Sequence, residues 1–265
     1  MSKKNVALIA GLVFIAVIVL LGVFLFRIQT VTVDFDSESA LKVDAAESEK
    51  IIAASGIIKG KSIFSLSESK MVRNIENEIH DVKVVNIERR FPNKVVIHVS
   101  KRVPVYALGY RLSQSASEGY VLVDGDMTVL GILDEKPEDG KFVTVEGFSL
   151  VGRYAIESGK TLPVEFGDQI FYLQNVAAGF YNCGLTPAQF LAFISKVVFE
   201  SNVTDVKTRS GVTLRIGSGL TTEDILERIP LAYEWYMSTE EGSPERTGGF
   251  ARYYADTESF RWESV

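Results

Sequence analysis

The chain has 265 residues, of which 46% are apolar and 11% aromatic, so it is too rich in apolar surface for a disordered protein. Its one cysteine, Cys183, and two histidines, His80 and His98, exclude an internal disulfide and any metal site built on several cysteines or three histidines. The net charge is −6, which is opposite in sign to a broad nucleic-acid-binding surface. No nucleic-acid partner is therefore expected.

A long apolar run lies near the N-terminus. From Val6 to Phe26 there is no charged residue, and a helix of this length spans about 32 Å, close to the hydrocarbon thickness of a bilayer. The run is longer than the apolar region of a cleaved signal peptide and ends in bulky residues, which favours an uncleaved anchor. We predict a cytoplasmic tail over residues 1–5 and a transmembrane helix from Val6 to Phe26.

The charges around this run predict its orientation. Lys3 and Lys4 precede it, and the residues from 28 to 265 carry 25 bases against 34 acids. By the positive-inside tendency, the N-terminus lies in the cytoplasm and everything after the run lies outside. The sequence thus predicts a single-pass protein of the plasma membrane, with the lipid bilayer as the partner of its N-terminal helix.

Residues 28–104 have the pattern of a small α+β domain. Alternating apolar residues predict strands, and apolar repeats every three to four residues predict helices. The predicted order is strand, helix, helix, strand, strand, over residues 28–35, 45–56, 68–79, 81–91 and 94–103. Pro92-Asn93 predicts the turn of the final hairpin. We further expect Ile63 and Phe64 to anchor the linker between the helices in the core.

Several short motifs accompany this order of elements. They are Gly60–Phe64, Val82–Val84, Arg89–Asn93, Val95–Val99 and Lys101–Val105. In their order, their spacing and their position after one anchor, they resemble the POTRA domain of the FtsQ/DivIB bacterial cell-division proteins. The chain departs from that pattern at Lys101, where the family usually has an acid.

Four bases lie on the last two predicted strands of this domain: Arg89, Arg90, Lys101 and Arg102. Charged side chains on strands are mostly solvated, so we expect them on an exposed strand face. A charged docking surface is the alternative interpretation.

Residues 105–265 predict a larger, strand-rich domain with packed helices. Strands are predicted over residues 120–123, 127–130, 141–146, 203–208 and 212–216. Thr186 predicts the start of one helix, whose apolar face would include Ile194, Val197 and Val198. A second helix starts near Thr221 and should kink or break at Pro230. The whole chain is therefore of the α+β class, with a transmembrane helix, a POTRA domain and a β-domain.

The C-terminal segment contains the candidate binding residues. Gly248-Gly249 precedes an aromatic-rich strand pattern that lies close to the chain end and hence near a sheet edge. In the resembling family, a coiled-coil partner docks on the final arginine–tyrosine strand and the tryptophan that follows. The implied partner-binding residues are Phe250, Arg252, Tyr253, Tyr254 and Trp262. Alternatively, these aromatic residues pack the core.

The sequence predicts no catalytic residues, no metal site and no cofactor, since neither histidine accompanies a nucleophile motif or a metal-ligand spacing. The resemblance implies a non-enzymatic, membrane-anchored assembly protein of the division septum. Its implied partners are FtsB/DivIC-like and FtsL-like single-pass coiled-coil proteins and other members of the division machinery. The alternatives are an extracytoplasmic cell-wall enzyme and a POTRA-bearing transport or secretion accessory protein.

Overall fold

The computed structural model describes the residues 11–14, 22, 24–35, 45–111, 119–151, 156–162, 167–200, 203–217 and 219–264. Most of the apolar run from Val6 to Phe26 lies outside these residues. Within the described part of the chain, no helix has the length and apolar character needed to cross a membrane. The transmembrane helix therefore stays a prediction from the sequence.

The chain divides into two compact units between Lys101 and Arg102, three residues before the boundary expected from the sequence. The N-terminal unit contains five main elements: β1 (Thr30–Phe35), α1 (Ala45–Ala54), α2 (Glu68–Glu78), β2 (Val82–Arg90) and β3 (Lys94–Lys101). This is the predicted order of strand, helix, helix, strand, strand. Strand β3 lies in the middle of the sheet, parallel to β1 and antiparallel to β2.

The core of this unit lies between the two helices and one face of the sheet. Ile51 of α1 and Ile75 of α2 are fully buried, as are Val95, Ile97 and Val99 of β3. These are the apolar positions that repeat with helical spacing on the helices and with a period of two on the strand. The same periodicity explains why the element order is predictable from the sequence.

The linker between α1 and α2 differs from the expectation at one residue. Ile63 and Phe64 belong to a single 3-10 turn, Ile63–Ser65, which Ser62 caps by accepting a hydrogen bond from the Phe64 backbone N–H. Ile63 is completely buried, whereas Phe64 is 60% exposed. The prediction that Phe64 anchors the linker in the core is wrong. In the short turn the side chain of Ile63 lies in the core, and that of the adjacent Phe64 lies at the surface.

We expect Ile63→Ala to lower the free energy of unfolding of the N-terminal unit by about 2–5 kcal/mol, since it empties a fully buried position. The neighbouring change Phe64→Ala is the matched control and should lower it by no more than about 1 kcal/mol. Hydrogen exchange of peptides from residues 45–101, followed across a urea series in the full chain, measures both. Equal losses in the two variants would contradict the assignment.

The C-terminal unit begins at Arg102 and combines a large mixed sheet with helices. Its elements are β4 (Tyr106–Arg111), β5 (Gly119–Val123), β6 (Val129–Leu133), β7 (Val143–Val151), α3 (Asp168–Asn182), α4 (Pro187–Phe193), β8 (Ile194–Glu200), β9 (Val203–Thr208), β10 (Thr213–Gly217), α5 (Thr222–Ser238), α6 (Pro244–Thr247), β11 (Phe250–Tyr254) and β12 (Ser259–Glu263). The described strands form one sheet in the order β12-β11-β10-β9-β8-β7-β4-β5-β6. Neighbouring strands are parallel in the pairs β10–β11, β7–β8 and β4–β7 and antiparallel in the other pairs.

Helices α3 and α5 pack together in the core of this unit. Gly179 of α3 permits the contact, since a Cβ atom there would lie 2.9 Å from the Cβ of Ile229 on α5. Phe180, from the same helix, and Phe190 of α4 are fully buried, with ring centroids 5.5 Å apart. Helix α3 lies in a region where the sequence patterns predicted no element.

Two helix predictions in this unit can be compared with the structure. The helix that starts after Thr186 has the expected capping box with Gln189, but it ends at Phe193. Ile194, Val197 and Val198 belong instead to β8, because this β-branched segment pairs with β7 and β9. At Pro230 a kink or a break was expected; helix α5 does not break there and continues to Ser238.

The four bases expected on a solvated strand face are all ion-paired. Arg89 lies 2.9 Å from Glu68, Arg90 2.8 Å from Glu88, and Lys101 3.2 Å from Glu47. Arg102 is the main departure, since its side chain is only 9% exposed and its Nη1 lies 2.5 Å from the buried Asp124 carboxylate. The Asp124 carboxylate also accepts hydrogen bonds from the Asp126 and Thr128 backbone N–H groups, so Arg102 holds the turn between β5 and β6.

Candidate partner-binding edge

The last two strands of the chain form one end of the large sheet. Strand β11 pairs in parallel with β10, and β12 pairs with the other side of β11. The sequence placed the strand at 249–254 near an edge, and β11 is indeed the strand next to the edge. The edge strand itself is β12, which the sequence patterns missed. Within the described part of the chain, no strand pairs with the outer side of β12.

Two glycines set the entry into this end of the sheet. Gly249 has a φ of +75°, and a Cβ atom there would lie 2.6 Å from the Glu263 carbonyl oxygen and from the Trp262 indole nitrogen. Its carbonyl accepts a hydrogen bond from the Thr213 N–H, at 3.0 Å. The Trp262 indole N–H donates to the carbonyl of Gly248, at 2.9 Å. A glycine is therefore required at position 249, where the chain enters β11 between β10 and β12.

The opposite edge of the sheet is partly covered. The Val129 N–H of β6 donates to the Lys160 carbonyl at 2.9 Å, and the Val129 carbonyl accepts from the Gly159 N–H at 2.8 Å. Thr128 and Thr161 form a further bridge. No described segment covers β12 in this way. A free strand edge exposes backbone donors and acceptors that can pair with an added strand.

Two of the five candidate residues face the core. Tyr253 lies opposite Phe260, with ring centroids 5.7 Å apart, and Trp262 lies opposite the fully buried Ala251. Both aromatic side chains pack against the core of the C-terminal unit. Tyr253 and Trp262 therefore pack against the core, as the alternative interpretation expected, although both are only partly buried.

The other three candidates, Phe250, Arg252 and Tyr254, lie on the outer face. Arg252 is exposed and lies opposite Arg261 of β12 and beside Arg215 of β10. The Arg215 guanidinium lies 4.4 Å from the centroid of the Phe250 ring. The outer face thus presents a row of three guanidinium groups across β10, β11 and β12, which we call the arginine row.

Two acids hold the arginine row in place. Arg215 makes a two-pronged pair with Asp205 of β9, at 3.0 and 2.9 Å, and this pairing raises the pKa of the Arg215 guanidinium. Arg252 lies 3.6 Å from the Glu263 carboxylate. The Glu263 and Glu200 carboxylates also interact electrostatically with Arg215, so the three guanidinium groups of the row lie among three acids.

Tyr254 completes the outer face. Its hydroxyl donates a hydrogen bond to the Glu263 carboxylate, and this bond raises the pKa of the tyrosine. The Arg261 guanidinium lies 5.0 Å from the centroid of its ring. Tyr254 is only partly buried, so the rest of its ring is accessible beside the free edge.

The chemistry-bearing residues outside this edge have structural partners. The Cys183 thiol donates to the Gly179 carbonyl, and burial raises its pKa, which disfavours the reactive thiolate. The two ring nitrogens of His98 lie 3.3 Å from the Asp34 carboxylate and 3.2 Å from the Glu88 carboxylate. No group of three or more potential metal ligands occurs among the described residues.

Comparison with known families identifies the N-terminal unit. Residues 44–102 match the model of the POTRA domain, FtsQ-type. This segment of the chain is therefore similar to an FtsQ-type POTRA domain. The matched residues include both helices and strands β2 and β3, and they support the resemblance to the FtsQ/DivIB proteins. A comparison with curated proteins gave no match.

Because the two faces of β11 and β12 differ, we expect Trp262→Ala and Tyr254→Ala to have different effects on folding. Trp262→Ala should lower the free energy of unfolding of the C-terminal unit by about 2–4 kcal/mol, less than for a fully buried tryptophan. Tyr254→Ala should lower it by less than about 1 kcal/mol. Urea unfolding followed by hydrogen exchange of peptides from residues 203–264 measures both, and a larger loss for Tyr254→Ala would refute the assignment of faces.

Proposed function

We propose that this protein is a membrane-anchored, non-enzymatic assembly protein of the bacterial division machinery. In this role it links division proteins at the septum and helps control septal peptidoglycan synthesis. The observation that carries the proposal is the FtsQ-type POTRA domain at residues 44–102, which follows a predicted anchor and precedes a unit with a free C-terminal strand edge. The N-terminus lies in the cytoplasm, and both units lie outside the plasma membrane.

The proposed partners are FtsB/DivIC-like and FtsL-like single-pass coiled-coil proteins. A segment of the FtsB/DivIC-like protein binds as an additional strand beside β12, so that its backbone pairs with the free edge of the sheet. Its side chains on the outer face meet Tyr254 and the arginine row. Arg252 and Arg261 are the exposed members of that row, and they favour a segment that carries acidic side chains there, which fixes the register of the added strand.

The cellular role is tested by fusing a fluorescent protein to the N-terminus of the full chain in its native host. We expect fluorescent bands at mid-cell that appear before constriction. An alkaline phosphatase fused to the C-terminus should be active, because the C-terminus lies outside the cytoplasm. Fluorescence spread evenly over the envelope, together with an inactive phosphatase, would contradict the proposal.

The binding site is tested with the full chain and the host's own FtsB/DivIC-like protein. We expect Tyr254→Ala to weaken binding by about 1–4 kcal/mol, because it removes the aromatic ring beside the free edge without disturbing the core. Ile132→Ala is the matched control, since Ile132 is an exposed apolar residue on the opposite edge strand β6. A binding titration that gives wild-type affinity for Tyr254→Ala would refute β12 as the site.

A further inference from the structure

Three phenylalanine rings cluster at the beginning of the N-terminal unit. Phe26, Phe64 and Phe91 have ring centroids 5.2, 5.5 and 6.1 Å apart. Phe64 is 60% exposed and Phe91 is 58% exposed, and Ile58, in the same linker as Phe64, is 54% exposed. The rings contact one another; Phe26 also packs against the core, which Ile63 enters, whereas Phe64 and Phe91 are not part of it. We call Phe26, Phe64 and Phe91 the aromatic cluster.

Backbone hydrogen bonds fix this cluster to the end of the apolar run. The Phe26 carbonyl accepts from the Ile63 N–H at 2.9 Å, and Arg27 forms a bridge with Ser62. The Gln29 N–H donates to the Asn93 carbonyl at 2.9 Å. The linker between α1 and α2 and the turn between β2 and β3 are therefore both tied to the residues that directly follow the predicted anchor.

The charges around the cluster have one sign. The three segments that meet here, residues 24–30, 56–66 and 91–95, contain four bases and no acid. The bases are Arg27, Lys59, Lys61 and Lys94. Exposed aromatic rings surrounded by bases match the chemistry of a membrane interface, where rings lie at the headgroup level and cations meet lipid phosphates.

We propose that the aromatic cluster inserts into the interfacial region of the bilayer that holds the anchor. The lipid bilayer is the occupant because Phe26 is itself the last residue of the apolar run, so a spanning helix brings the cluster to the membrane surface. The rings of Phe64 and Phe91 lie at the boundary between headgroups and acyl chains. This second contact holds the N-terminal unit in one orientation on the membrane. The inference rests on the membrane anchor in the proposed function.

The test places a fluorescent reporter in the cluster of the full chain. Phe64→Trp is reconstituted into vesicles of phosphatidylethanolamine and phosphatidylglycerol, some of which carry bromine atoms on the acyl chains near the headgroup. Bromine quenches tryptophan fluorescence at short range. The fluorescence of the native residues Trp235 and Trp262 is measured on the wild-type chain in the same vesicles and subtracted. The matched control is Val85→Trp, because Val85 is 57% exposed in the same unit. It lies six residues from Phe91 along β2, about 20 Å away.

We expect the Phe64→Trp fluorescence to be lost in brominated vesicles, because interfacial side chains lie about 5–10 Å into the headgroup boundary. The Val85→Trp fluorescence should be unchanged. If the chain floats with the vesicles but Phe64→Trp is quenched no more than Val85→Trp, the cluster makes no preferential contact with lipid and the inference is overturned, while the anchor stands. If the chain does not float with the vesicles, the anchor and the inference fail together.

Discussion

The path of the chain through Gly248 and Gly249 determines which strand forms the edge of the large sheet. At Gly249 the backbone has a positive φ and passes so close to Glu263 and Trp262 that no side chain fits. This approach lets β11 pair in parallel with β10, and β12 then returns antiparallel along the remaining side. The free backbone edge and the outer-face position of Tyr254 both follow from this one constraint.

The two faces of the C-terminal strands differ in what they carry, and we propose that only the outer face takes part in recognition. On the core face, Trp262 packs against the unit, and its indole N–H is satisfied by Gly248. On the outer face, the arginine row is positioned by Asp205 and Glu263, so its geometry is set before any partner arrives. Preorganised charges of this kind contribute register and specificity more than affinity, while the backbone edge supplies the pairing.

Local patterns in the sequence were sufficient to predict the N-terminal unit, because its helices and strands have clear apolar periodicity and short connections. They failed where a distant contact decides the outcome. Ile194, Val197 and Val198 fit helical spacing, but pairing with β7 and β9 makes them a strand. Arg102 looks like an exposed base, and only the fold brings it to the Asp124 carboxylate, 22 residues along the chain.

For the candidate site, the sequence predicted the location but not the face on which each side chain lies. The aromatic composition of residues 250–254 indicated a strand near an edge, and the resemblance to the FtsQ/DivIB family indicated its use. The sequence could not assign a face to each residue, since that depends on the pairing register of Ala251 with Trp262. A signal for β12 was present, since Phe260 and Trp262 alternate with polar residues from Ser259 to Glu263, but it was not used.

The central claim is that a partner strand pairs with β12. Hydrogen exchange of the backbone amides in the full chain, measured with and without the FtsB/DivIC-like partner, tests it most directly. The account predicts that partner binding slows exchange at the amides of residues 259–263 that face away from β11, while the amides of β6 keep their rates. Unchanged exchange along β12 in a saturated complex would contradict the account.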